Sequence, residues 1–254
     1  HRHRTMNLLA FDTSTDTLSV AVQHDAGLRQ HSGPGGAQAS ATLIPTVRTL
    51  LAQAGLSFDT LDAIAFGRGP GSFTGLRTAC AVAQGLALGA RQGRGVPVLP
   101  IDTLLAVAEE ARHQHGCTQV VAALDARMDE VYVAHYRPSG RSAGHWECTL
   151  PAHLSAPEAM QVPPGWALAG NAGAVYGARL AADTHPAGVA APGFAALPTA
   201  TALLRLAPAL LAAGQAVPAR AALPLYIRDK VAQTTAERAA ARPSVPGHAA
   251  STSP

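Results

Sequence analysis

Apolar positions along the chain change their period several times, and each change marks an element. "NLLAFDTSTDTLSVAVQ" alternates on both sides of a polar turn at Asp12 to Asp16 and predicts two strands. A third strand is expected near Leu28 to His31. Leu43, Val47, Leu50, Leu51 and Ala54 then recur at helical spacing, with Gly55 as a stop. Thr42 is the expected cap of this helix, which would leave Pro45 in the first turn, where amides have no helical partner. A strand at 61–66, the loop "GRGPGSFTGLR" from Gly67 to Arg77, a helix at 72–90, a strand at 96–101 and a helix at 103–113 follow. The order is βββαβαβα.

The second half opens with an echo of the first. "LLAFDTSTDTLSVAV" and "VAALDARMDEVYVAH" are each an apolar strand ending in Asp, a short polar link and a second strand. Val20 and Ala21 follow Asp12 at the offsets by which Val133 and Ala134 follow Asp125. A single repeat 113 residues apart suggests two duplicated domains, not a solenoid. Beyond about 138 the pattern weakens, with helices expected at 173–182 and 199–213. We expect a leader or tag scar at 1–5, an N-terminal domain at 6–112, a degenerate C-terminal domain at 113–233 and a disordered tail at 234–254.

Composition narrows the function classes. At 254 residues and 48% hydrophobic content the chain can bury a large core, and its most apolar run, "ALLRLAPALLAAG", is interrupted by Arg205 and Pro208. Residues 6–233 carry 15 basic and 15 acidic side chains, so no basic face for nucleic acid is implied. Cys80, Cys117 and Cys148 lie far apart without zinc-type spacing, and a cytoplasmic location is expected.

Two strand-end aspartates on duplicated domains and a glycine loop at a helix start form the layout of the actin, hexokinase and Hsp70 superfamily, an α/β class with actin-like (ribonuclease H-like) domains. Unpaired helix amides favour phosphate, so Asp12, Thr13, Ser14, Gly69, Gly71, Ser72, Asp125 and Arg127 are candidates for a vestigial nucleotide site. The glycine loop is equally readable as a tight strand-to-helix turn. Asp125 and Arg127 read equally as a turn fixing the second hairpin.

"LLAFDTST", "SVAV", "LDAIAFGRGPGSFTGLR", "AQGLALG", "GVPV", "ALDARMDEVY" and "PLYIRDKVA" resemble the TsaB family of bacterial tRNA threonylcarbamoyladenosine biosynthesis proteins. The resemblance covers about 6–138 and returns at 223–232. It implies a non-catalytic subunit that scaffolds or activates a catalytic paralogue, TsaD, with an ATPase, TsaE, as a further component and tRNA engaged only through the complex. It implies a homodimer when TsaD is absent and no cofactor, while weak ATP or ADP binding stays open. The paralogue carries two metal-holding histidines where this chain has Thr103 and Val107, neither a useful transition-metal ligand. Relatives often place a histidine where Ala39 stands.

Ala81, Gly85 and Gly89 recur every fourth residue on the helix after the glycine loop, a smooth strip for close backbone approach. A neighbouring helix of the same chain would account for it. The resemblance implies instead an interface, with Phe73, Arg77, Ala81, Gly85 and Gly89 facing TsaD or a second copy. His113 and His115 are two apart and suit helix-end dipole complementation better than a metal. Ser72 and Thr74 raise a nucleophile, but a cap by Ser72 is the simpler role. Cys80 reads as a small core residue. The alternatives to the partner reading are a small-molecule kinase or ATPase of the superfamily and a glycoprotease-like hydrolase, for which "ALAGNAGAVYG" is the one adenosine-motif candidate and no triad is readable.

Overall fold

The structure, a computed structural model, describes residues 5–25, 27–140, 144–180 and 193–227. Most of the expected leader, the tail at 234–254 and the end of "PLYIRDKVA" lie outside these residues. The first unit runs β1 (Leu8–Asp12), β2 (Thr17–His24), β3 (Gly27–Pro34), α1 (Ala39–Gln53), β4 (Ala63–Gly69), α2 (Phe73–Gly89), β5 (Val98–Asp102) and α3 (Thr103–His115). The second runs β6 (Val120–Arg127), β7 (Glu130–Pro138), β8 (Trp146–Ser155), β9 (Ala167–Ala169), α4 (Ala172–Tyr176), β10 (Gly193–Phe194) and α5 (Ala200–Ala212).

The two sheets share one plan. Their orders are β3-β2-β1-β4-β5 and β8-β7-β6-β9-β10, each a three-stranded antiparallel meander extended by parallel strands. These are two actin-like domains, and the second is reduced. A single 3-10 turn at Pro157–Ala159 stands where α1 stands in the first, and the five-residue α4 with a 3-10 turn stands in place of α2. Among the described residues no helix is long and apolar enough to cross a membrane.

Side-chain size on alternate strand positions decides what each face of the first sheet holds. Leu9, Phe11, Val20, Val22, Ile64 and Phe66 fill one face under α1 and α2. Full burial of each such large side chain is worth about 1.5–3 kcal/mol. Ala10, Ala21, Ala63 and Ala65 on the other face are small, and α5 packs there. Thus residues 200–222, which the expected division places with the second domain, return to the first sheet, where Val217 bridges Val98 and Ala222 joins the core.

Between the sheets α3 serves both, with Ala106 packed against the first core and Leu104, Val107, Ala108 and Ala111 against the second. Its two glutamates are buried as well. Glu109 accepts from Arg112 at 2.6 and 2.9 Å, from Trp146 Nε1 of β8 at 3.0 Å and from Arg205 of α5 at 3.2 Å. Glu110 accepts from Arg205 at 2.5 Å and Thr199 at 2.8 Å. This network ties α3, α5 and β8 together at the back of the molecule.

Several boundaries differ from the expectation. Helix α1 begins at Ala39, not after Thr42, so Pro45 falls within the helix. Its missing donor frees the Ala41 carbonyl, but both residues are exposed and water can take its place. Strand β4 continues to Gly69, so two glycines assigned to the loop belong to the sheet. Helix α3 runs to His115 and ends on Gly116 in the left-handed conformation. Strands β8, β9 and β10 carried no readable signal.

Candidate functional site

The amino end of α2 is fastened to the turn after β1. Gly75 lies so close to that turn that a Cβ there would stand 1.9 Å from the Thr13 carbonyl, and Thr13 Oγ1 donates to the Gly75 carbonyl at 2.6 Å. Ser72 N donates to the Ser14 carbonyl at 2.8 Å. Ser72 Oγ accepts from Gly75 N at 3.4 Å, which is the cap expected of it. The loop is thus held by its neighbour.

Asp12 lies within this joint. It is fully buried, and its Oδ1 accepts from Ser14 N at 2.9 Å and Ser14 Oγ at 2.6 Å. Its Oδ2 makes no hydrogen bond and fills the space over Gly67, where a Cβ would come within 1.7 Å. Burial raises its pKa to about 6 against the opposing Ser14 hydrogen bonds and the nearby Thr103 hydroxyl. Thr103 itself accepts the Gly69 amide at 3.0 Å, and Val107 is buried in the core of the second sheet.

Between the domains is a cleft of about 380 Å³. Of the candidate nucleotide residues, Ser14, Gly71, Ser72, Asp125 and Arg127 line it, while Asp12, Thr13 and Gly69 do not. Asp125 Oδ1 accepts from Arg127 N at 2.8 Å and the Tyr176 hydroxyl at 2.7 Å, and its own amide donates to Asn171 Oδ1 at 2.7 Å. Arg127 reaches Asp16 across the mouth at 3.3 Å, an exposed pair worth little. Among the described residues no histidine lines the cleft. "ALAGNAGAVYG" forms β9 and α4, and supplies Asn171 to the cleft wall.

Of the interface candidates on α2, Phe73 lines the cleft, whereas Ala81, Gly85 and Gly89 form the open side of the helix. Ala81, Gly85 and Gly89 are exposed, and a Cβ on either glycine would meet nothing within 4 Å. Among the described residues no helix covers the strip. Phe73 is 42% exposed, with the Arg77 guanidinium 3.7 Å over its ring and Tyr226 at 4.8 Å. Leu88 is 57% exposed. From Thr78 to Gly89 the helix carries no charge, so it is apolar on its open side too.

The other singled-out residues have local roles. Cys80 is buried and donates to the Ala222 carbonyl at 3.4 Å. His115 packs on Phe194 at 4.5 Å, and Ala39 is buried in the first core. Sequence reasoning missed how the C-terminal segment closes this site: Leu225 N donates to the Arg68 carbonyl at 2.7 Å and Gln84 Nε2 to Ala222 O at 2.8 Å. The one signal was the return of a family pattern in "PLYI". Leu88 was also missed, although a helix uncharged on every side from Thr78 onward is itself a sign of a partner.

A family profile described as TsaD: tRNA N6-adenosine threonylcarbamoyltransferase matches residues 33–236. The Escherichia coli (strain K12) tRNA threonylcarbamoyladenosine biosynthesis protein TsaB is 34% identical over 230 residues, 89% of this chain and 96% of that protein. The Haemophilus influenzae Rd protein of the same name is 47% identical over 129 residues, 50% of this chain and 52% of that protein. A solved structure, YeaZ from Pseudomonas aeruginosa, superposes with a TM-score of 0.76 at 38% identity, covering 87% of this chain and 100% of that one.

Proposed function

The chain belongs to the TsaB family, a branch of the fold family that the TsaD profile describes, and from that premise we propose that it acts in forming threonylcarbamoyladenosine in tRNA as a non-catalytic partner of a TsaD-type subunit. In this reading it scaffolds or activates that subunit, works with a TsaE-type ATPase in the cytoplasm, meets tRNA only within the complex and pairs with itself when alone. The modified adenosine would be the one beside the anticodon of tRNAs reading codons that begin with A.

The observation that carries the reading is the uncharged, open face of α2, with Gly85 and Gly89 in free space. A second backbone can approach there closely, and interior glycine otherwise costs a helix about 1 kcal/mol each. The non-catalytic part is supported by Thr103 and Val107, which stand at the paralogue's histidine positions and are both fully buried. A threonine hydroxyl engaged by Gly69 N and a valine in the core offer no Lewis-acid metal site. Entombment of Asp12 also removes one of the two carboxylates that a nucleotide cleft would need.

Co-expression with the TsaD-type paralogue from the same source, followed by modification of a transcript tRNA, tests the reading. Stable co-purification and modification that requires both chains are expected. Full activity of the paralogue and TsaE-type ATPase without this chain would contradict it.

A further inference from the structure

The open side of α2 does not end at Gly89. Leu88, one turn beyond Gly85, lines a depression of about 490 Å³. Its apolar floor includes Val96, Pro97, Val217 and Pro218, and Arg94 and Arg220 stand on its walls. The two backbone bonds between Val98 and Val217, at 2.8 and 2.9 Å, hold its sides in place.

The two arginines differ from most others in the molecule. Arg68, Arg112, Arg137, Arg179 and Arg205 each meet a carboxylate. Arg94 and Arg220 are exposed, and among the described residues neither makes an ion pair; Arg94 Nε only donates to the Arg91 carbonyl at 3.3 Å. Among the described residues no acidic side chain lines the depression. It is therefore, among the described residues, an apolar floor under two unpaired guanidiniums, continuous with a helix face that none of them covers.

We infer that this depression receives an acidic side chain of the TsaD-type partner, flanked by apolar residues and placed near the end of the element that lies along α2. The inference rests on the proposed interface and deepens it by naming the chemistry at one end. Guanidinium suits a carboxylate by its planar fork of donors. A protein carboxylate fits better than a tRNA phosphate on three counts. The floor is apolar, none of the described lining residues is an aromatic that could stack a base, and the body of the chain has no net basic field to gather a polyanion. Such a pair fixes register and orientation along a helix that is otherwise smooth, since Ala81, Gly85 and Gly89 alone would let a partner slide.

The test compares the affinity of the full chain for the TsaD-type paralogue with that of Arg94→Gln/Arg220→Gln and Arg94→Glu/Arg220→Glu, at low and physiological salt, with melting of each variant recorded. The neutral pair is expected to weaken binding about threefold to tenfold and the reversed pair more than tenfold, with the loss larger at low salt and melting unchanged. Exchange of the matching partner carboxylate for arginine should restore binding to the reversed pair. Unchanged affinity of both pairs, with Gly85→Leu still weakening the complex, overturns the inference and leaves the interface standing. If Gly85→Leu is also without effect, the interface itself fails and the inference with it. A loss seen only in tRNA binding by the assembled complex would assign the depression to phosphate and overturn it equally.

Discussion

Asp12 and Asp125 end equivalent strands of the two sheets and project from opposite faces. Asp12 shares its face with Ala10, under α5, and pairs with Ser19, whose hydroxyl accepts the Ala200 amide of α5 at 2.8 Å. Asp125 shares its face with Ala123 and pairs with Val131, both in the cluster under α4. The cause is one residue of register: residues 13–18 link Asp12 to its partner, whereas residues 126–130 link Asp125 to its own. Only one of the two carboxyls therefore reaches the cleft.

Asp12→Asn should make the protein more stable at neutral pH. A folded-state pKa of about 6 against an unfolded value near 3.8 means that the fold binds the proton more tightly. The associated stability is full below about pH 4 and is lost as pH rises to about 6, a change on the order of 3 kcal/mol. Asparagine keeps the acceptor for Ser14 and removes the charge. Urea titrations should show the variant ahead by about 1–3 kcal/mol at pH 7.5 and level with the parent at pH 4. A constant difference across pH would show that the Asp12 charge is not what matters.

The first half of the fold was legible because its strands and helices bury large side chains with clean periods, as Leu9, Phe11, Val20 and Phe66 do. The second hairpin was legible as an echo, but composition at equal offsets does not carry register, so the opposed aspartates were not. Strands β9 and β10 are three and two residues long and leave no period to read. The return of α5 to the first sheet depends on alanines at 10, 21, 63 and 65, whose smallness is informative only once the faces are known. The α2 strip was visible in sequence; that none of the described residues covers it was not.

Arg205→Ala should destabilise by about 3 kcal/mol, because it leaves Glu109 and Glu110 buried with fewer partners. Burial raises the Glu109 pKa, but hydrogen bonds from Arg112 and Trp146 and the Arg112 and Arg205 charges outweigh it and hold the carboxyl below its usual range. Trp146 fluorescence and far-ultraviolet circular dichroism should report the loss together. A change under 0.5 kcal/mol would mean that the network is not a clamp between the sheets.

Metal analysis of the chain should find no stoichiometric zinc or iron, given Thr103 and Val107 at the two positions. The protein must lack His1 and His3, since imidazoles are themselves metal ligands and would confuse the result. One equivalent retained after dialysis would require ligands other than these.

The isolated chain should hold tRNA only weakly at physiological salt, since its 15 basic and 15 acidic groups in residues 6–233 leave no net attraction. Filter binding with a steep salt slope and submicromolar affinity would reveal a concentrated basic face.

The central claim is that the open side of α2 meets the TsaD-type partner, and Gly85→Leu tests it most directly. The new side chain enters free space in the isolated chain, so melting should stay the same or rise slightly with the better helix former. In the complex it stands where two backbones meet, an overpacking cost of about 1–3 kcal/mol. The dissociation constant measured with the TsaD-type paralogue should then rise about tenfold to a hundredfold. A dissociation constant equal to the parent's, from a variant that melts normally, would contradict the claim.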